Sequence, residues 1–155
     1  MKERPSYFIS PNAQVLDLAQ SYNDTSNILE GNSGNALPIL NLRMHAIELF
    51  LKSLVVKTLS VDQGDGGFLE RVMRRGNHTL STTFEKVDYR HKTKLLGGRE
   101  TLERDLKDLE GLFQDSRYVY ESGKSLNIGL AQRVVDYLAD EIPKLVMISH
   151  MSRSK

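Results

Sequence analysis

Apolar residues recur at three- and four-residue steps between positions 36 and 60. Leu37, Leu40, Met44, Ile47, Leu51, Leu54 and Val55 mark one side of a helix expected to start near Ala36 and run to about Ser60. Leu42, Ala46, Leu49, Phe50 and Val56 fill most of the remaining circumference. The exceptions are Asn41, His45, Glu48 and Lys52, which fall within about 60° of one another at ~100° per residue. The pattern therefore predicts a rod roughly 35 Å long, enclosed on most sides and open along one narrow polar stripe.

The flanking segments predict shorter helices. Ser10-Pro11 reads as a helix start, a hydroxyl cap followed by Pro where a missing N–H costs nothing. Val15, Leu16, Leu18, Ala19 and Tyr22 give that first helix an apolar side, and it is expected to end near Tyr22. The stretch Asn23–Asn35 is turn chemistry, with Gly31 and Gly34 as breakers. Val61–Gly67 reads as a flexible loop, and Phe68–Arg75 as a short helix stopped by Gly76-Asn77.

Thr79–Arg90 is a further helix with Leu80, Phe84 and Val87 on one side, and His91–Gly98 closes it with a glycine pair. Arg99–Phe113 is amphipathic through Leu102, Leu106, Leu109 and Phe113, with charged pairs on its outer face. Gln114–Leu126 reads as a loop. Asn127 can cap a last helix, Ile128–His150, with Leu130, Val134, Leu138, Ile142, Leu145 and Ile148 inward and a kink at Pro143. No period-two strand pattern runs over a useful length. The expectation is an all-α, up-and-down bundle of about five helices, forming a single domain over residues 1–155.

Composition narrows the chemistry. The 155 residues are 39% hydrophobic and 26% charged, ordinary values for a soluble globular protein. With no Cys, disulfides, thiolate catalysis and Cys-based metal sites are excluded. Net charge is +1, so global charge does not announce a nucleic-acid binder. The N-terminal MKERPSYFISPNAQ lacks an apolar stretch of signal-peptide length, and no apolar run is long enough for a membrane span. A cytoplasmic protein without membrane attachment is expected.

Three clusters carry candidate chemistry. On the stripe, Glu48 and Lys52 stand in the favourable acid-before-base order one turn apart, and Glu48 is close enough in the helix to raise the pKa of His45 or fix its tautomer. The stripe is either a solvated face or the lining of a groove or dimer seam. Two good ligands are too few for zinc, so no metal and no cofactor are expected. His78 follows a Gly-Asn break. It either locks two helices through backbone bonds or contacts phosphate together with Arg71, Arg74 and Arg75. Arg117, Tyr118 and Tyr120 lie within four residues and can stack a base and hold a phosphate, or pack beneath a loop. His91 and His150 lie among basic or terminal residues and look incidental. There is no phosphate-binding Gly loop in a strand context, no Gly-X-Ser-X-Gly elbow and no His-Glu-X-X-His.

His45-Ala46-Ile47-Glu48-Leu49-Phe50-Leu51-Lys52, then His78-Thr79-Leu80, then Arg117-Tyr118-Val119-Tyr120 before a long final helix, resemble the HEPN domain (higher eukaryote and prokaryote nucleotide-binding). The resemblance covers roughly Leu37–Ile142. It implies an up-and-down bundle that commonly dimerises through helix faces. It also implies one of two activities: a metal-independent ribonuclease with an Arg-X(4–6)-His motif at a composite dimer site, or an inactive relative binding nucleotide or RNA. Many prokaryotic members belong to toxin–antitoxin, defence or stress systems beside a minimal nucleotidyltransferase.

The last helix has Arg133 but no His at the motif's distance. Arg71 and His78 are the only pair with suitable spacing, and Gly76-Asn77 interrupts it. The expectation is a non-catalytic module that binds a nucleotide, RNA or a partner protein through His45, Glu48, Lys52, Arg74, Arg75, His78, Arg117, Tyr118 and Tyr120, with a homodimer as its assembly. The alternatives are a ribonuclease toxin, in which His78 is the base and Arg71 steadies the phosphate charge, or a purely structural interaction protein.

Overall fold

A computed structural model describes residues 7–32, 35–62, 68–73, 79–116 and 127–151. The helical bundle expected as an all-α fold forms the body of the protein. Its helices are α1 (Ala13–Asn32), α2 (Ala36–Val55), α3 (Leu80–Glu85), α4 (Tyr89–Gly98), α5 (Leu102–Ser116) and α6 (Ile128–Met151). The helix α2 is central, packed against α1, α3, α5 and α6. Its residues Leu40, Met44, Ile47, Phe50, Leu51 and Leu54 are buried together with Leu102, Leu106 and Leu109 of α5 and Val134, Leu138 and Ile142 of α6.

Helices α1 and α2 form an antiparallel hairpin, legible from pairs that recede from its turn. Glu30 meets Arg43, the Tyr22 ring lies by His45, and the Asn12 N–H donates to the Ser53 carbonyl at 2.9 Å. The same two-stranded course continues beyond the helices as an antiparallel sheet. Strand β1 (Tyr7–Pro11) pairs with β2 (Lys57–Asp62) from Tyr7 opposite Val61 to Pro11 opposite Lys57. Strand β3 (Phe68–Met73) pairs on the other side of β2, from Asp62 opposite Phe68 to Lys57 opposite Met73.

The sheet corrects several expected boundaries. Ser10 and Pro11 close a strand instead of opening a helix. The cap of α1 is Asn12, whose Oδ1 accepts the Val15 N–H at 2.9 Å. Helix α2 stops at Val55, and Val56 turns to extended backbone to enter β2. Phe68–Met73 is a strand, not a helix. Its Phe and Val, like Thr58 and Val61 of β2, are strand formers, and the five residues between the two strands include three glycines.

Helix α1 runs ten residues past Tyr22, through the stretch read as turn chemistry. Its polar side chains bond back onto their own helix. The Ser21 hydroxyl donates to the Asp17 carbonyl, Thr25 to Ser21, Ser26 to Asn23, and the Asn32 amide to Ile28. Asn23 and Ser26 are buried in the hairpin. Packing against α2 thus overrides weak local propensity. Further along, the expected 79–90 helix divides at Asp88, whose carboxylate caps α4 by accepting the Arg90 N–H at 2.9 Å. Asn127 caps α6 as expected, accepting the Leu130 N–H at 3.0 Å. Leu18 and Ile148, expected inward, are about half-exposed at 48% and 51%.

Candidate functional site

The sector of α2 that the sequence marks as a polar stripe is half-open along its length. Asn41, Leu42, His45, Glu48, Leu49 and Lys52 are all neither buried nor fully exposed. Within it the Lys52 ammonium donates to Glu48 Oε1 at 2.5 Å. The Glu48 carboxylate is therefore engaged one turn forward with Lys52. His45 instead lies by Tyr22 of α1, ring centroids 5.7 Å apart and tilted at 45°. The strip carries one compensated ion pair, one imidazole and two part-covered leucines. Groups of at least three His, Cys, Asp or Glu able to hold a metal are absent among the described residues.

Of the other predicted site residues, the structure describes Arg71 alone. Arg71 sits in β3, opposite Leu59. Extended backbone there lacks the helical turns that would stack Arg71 beneath His78 on one face. Arg74, Arg75, His78, Arg117, Tyr118 and Tyr120 lie outside the described residues. No family model, curated protein or solved structure matches the chain.

Two polar arrangements that the sequence does not announce join one helix to another. The first is Arg43, 1% exposed, whose guanidinium donates to Glu30 Oε2 at 2.6 Å while its Nε has no partner among the described residues. Position 43 lies on the enclosed side of α2, where the local pattern asks for an apolar residue. Asn23 Oδ1, also in this hairpin, is a second buried atom without a partner among the described residues.

The second joins α4 to the end of α6. His91, expected to be incidental, is half-buried, with Nε2 at 3.2 Å from the Ser149 hydroxyl. That hydroxyl donates its single proton to the Leu145 carbonyl at 2.9 Å. With that proton so engaged, the hydroxyl oxygen accepts from the ring in the tautomer that carries its proton on Nε2. Nδ1 is buried without a partner among the described residues. Burial, then the Lys57 ammonium, hold the His91 pKa below its ordinary value, Asp88 opposes this, and Lys94 adds to the depression.

Helices α3 and α5 enclose a shallow cleft lined by Ser81, Phe84, Glu85, Glu103, Leu106 and Lys107. On α5, Asp105 is turned inward despite the charged outer face expected there. It accepts from Arg99 Nε at 2.8 Å and from the Thr101 hydroxyl at 2.7 Å, fixing the start of the helix.

Proposed function

We propose that the chain is a non-catalytic, HEPN-like helical module that acts by docking a protein partner along the half-open strip of α2. The charge state of the strip supports this reading. A face that binds RNA or nucleotide phosphate needs uncompensated cations, whereas Lys52 is already neutralised by Glu48 at 2.5 Å. What the strip offers is a mixture of satisfied polar groups and part-covered Leu42 and Leu49, the makeup of a protein–protein surface. The partner is a second copy of the chain or the minimal nucleotidyltransferase that the HEPN resemblance implies, in a toxin–antitoxin, defence or stress setting.

Sedimentation velocity and co-purification with a candidate nucleotidyltransferase test the proposal. Lys52→Glu places two carboxylates one turn apart on the strip and is expected to weaken the complex at least about tenfold, the effect of ~1.4 kcal/mol. A chain that stays monomeric at every concentration and captures no nucleotidyltransferase refutes it. RNA or nucleotide binding that survives Lys52→Glu moves the function to the arginines and His78 at 71–78 and to Arg117, Tyr118 and Tyr120. Metal-independent RNA cleavage lost in His78→Ala establishes the ribonuclease.

A further inference from the structure

Helix α4 is lightly anchored. Leu95 is its one buried side chain. Its C-terminal half is tied to α6 by the Tyr137 hydroxyl, which donates to the Leu95 carbonyl at 2.6 Å. Its N-terminal half reaches α6 through His91 and Ser149. On its other flank the Lys92 ammonium sits 5.5 Å from the Phe84 ring centroid and donates to the Glu85 carbonyl. We propose that α4 is an acid-released strap: a proton taken up by His91 lifts the N-terminal half of α4 from the end of α6.

The reason is local to the ring. The doubly protonated ring carries a proton on both nitrogens; Nε2 has the Ser149 hydroxyl beside it, whereas Nδ1 is buried with no acceptor among the described residues. An N–H left without an acceptor in such a place carries its full desolvation cost. Charge makes the cost larger. Among the described residues the facing groups are Lys57 at the start of β2, Lys94 on α4 itself, Asp88 at the α4 cap, and the neutral Ser149 hydroxyl from α6. Two cations outweigh one carboxylate. Rotation of the ring alone gives up the Ser149 bond, and movement of the helix end brings Nδ1 to water. The change uncovers the α6 flank around Ser149.

The sign follows from the depressed pKa in the docked state. The released ring has a pKa near its ordinary value of ~6.5 and the docked ring a lower one. Docking is therefore fully favoured above about pH 6.5 and weakens as pH falls from there toward the docked pKa. Between pH 7.5 and 5.5 the opening equilibrium rises by up to about tenfold, one titrating group over that interval.

Amide hydrogen exchange of the intact protein, corrected for intrinsic rates, reads this directly. The expected result is loss of protection over residues 89–94 by up to about tenfold between pH 7.5 and 5.5, with α2 unchanged. His91→Gln keeps an N–H donor for Ser149 and cannot titrate, so its α4 protection should be flat across the same range. Should that variant not fold, the ring resonances of the wild-type protein supply the second reading, with His91 titrating below its ordinary range in step with the loss of α4 protection. Protection of α4 that is constant with pH, or that falls equally in α2, overturns the proposal. So does a wild-type His91 that titrates normally with α4 still docked.

Discussion

Replacing Glu30 by Gln isolates what a buried cation costs this fold. Arg43 is 1% exposed and meets Glu30 at 2.6 Å, but Glu30 itself is 48% exposed. The desolvation penalty therefore falls almost entirely on the guanidinium. Breaking a fully buried pair costs about 3–5 kcal/mol, because the remaining charge is uncompensated. Solvent around Glu30 screens its share of the attraction, which lowers the expected loss for Glu30→Gln to about 2–3 kcal/mol. A chain of this size melts about 2–4 °C lower per kcal/mol, so Tm should fall by roughly 5–10 °C.

Arg43→Met keeps volume and removes the charge together with its unpartnered Nε, whose burial alone costs about 1–3 kcal/mol. It should be within about 1 kcal/mol of wild type or more stable, and adding Glu30→Gln to it should then change little. Urea unfolding followed by helix ellipticity gives all four corners of this cycle. A neutral Glu30→Gln beside an Arg43→Met that loses more than about 3 kcal/mol would place the value of Arg43 outside the ion pair and overturn this account of the buried cation.

A Cβ added at Gly98 would stand 2.5 Å from the Tyr137 hydroxyl, which is held by its bond to Leu95. Gly98→Ala is therefore expected to cost about 1–3 kcal/mol in urea unfolding and to cost less in a Tyr137→Phe background, where the nearest clashing atom is gone. Asn12→Ala and Asn127→Ala each remove a cap that accepts a backbone N–H, and each should lower stability by about 1 kcal/mol without changing the unfolding slope. Phe50→Ala empties a fully buried position on the central helix and should cost about 3–5 kcal/mol, a loss measurable by the same unfolding curve.

The parts of this fold legible in the chain are those where one period repeats long enough to outvote its exceptions. Leu102, Leu106 and Leu109, or Val134, Leu138 and Ile142, announce buried faces because each apolar residue confirms the last. The core rod of α2 is legible for the same reason, and its polar sector is the half-open one.

What escapes is decided by partners remote in sequence. The strand β2 has only six residues, and they follow a helix whose apolar pattern runs straight into Leu59 and Val61. Strand identity there comes from pairing with β3 across a five-residue connection and with β1, some fifty residues earlier, and no local window contains the second partner. The second half of α1 is helical because α2 lies beside it, although its own residues favour turns. Arg43 breaks the apolar pattern of α2 because Glu30 awaits it across the hairpin, and His91 becomes more than a surface histidine only when α6 returns to place Ser149 beside it. The polar stripe legible in advance lies along one helix, whereas the Arg43–Glu30 pair and the His91–Ser149 contact each span two. A sequence window covers the first kind and not the second, so the ion pair and the strap are properties of the packing, built from residues that each look ordinary alone.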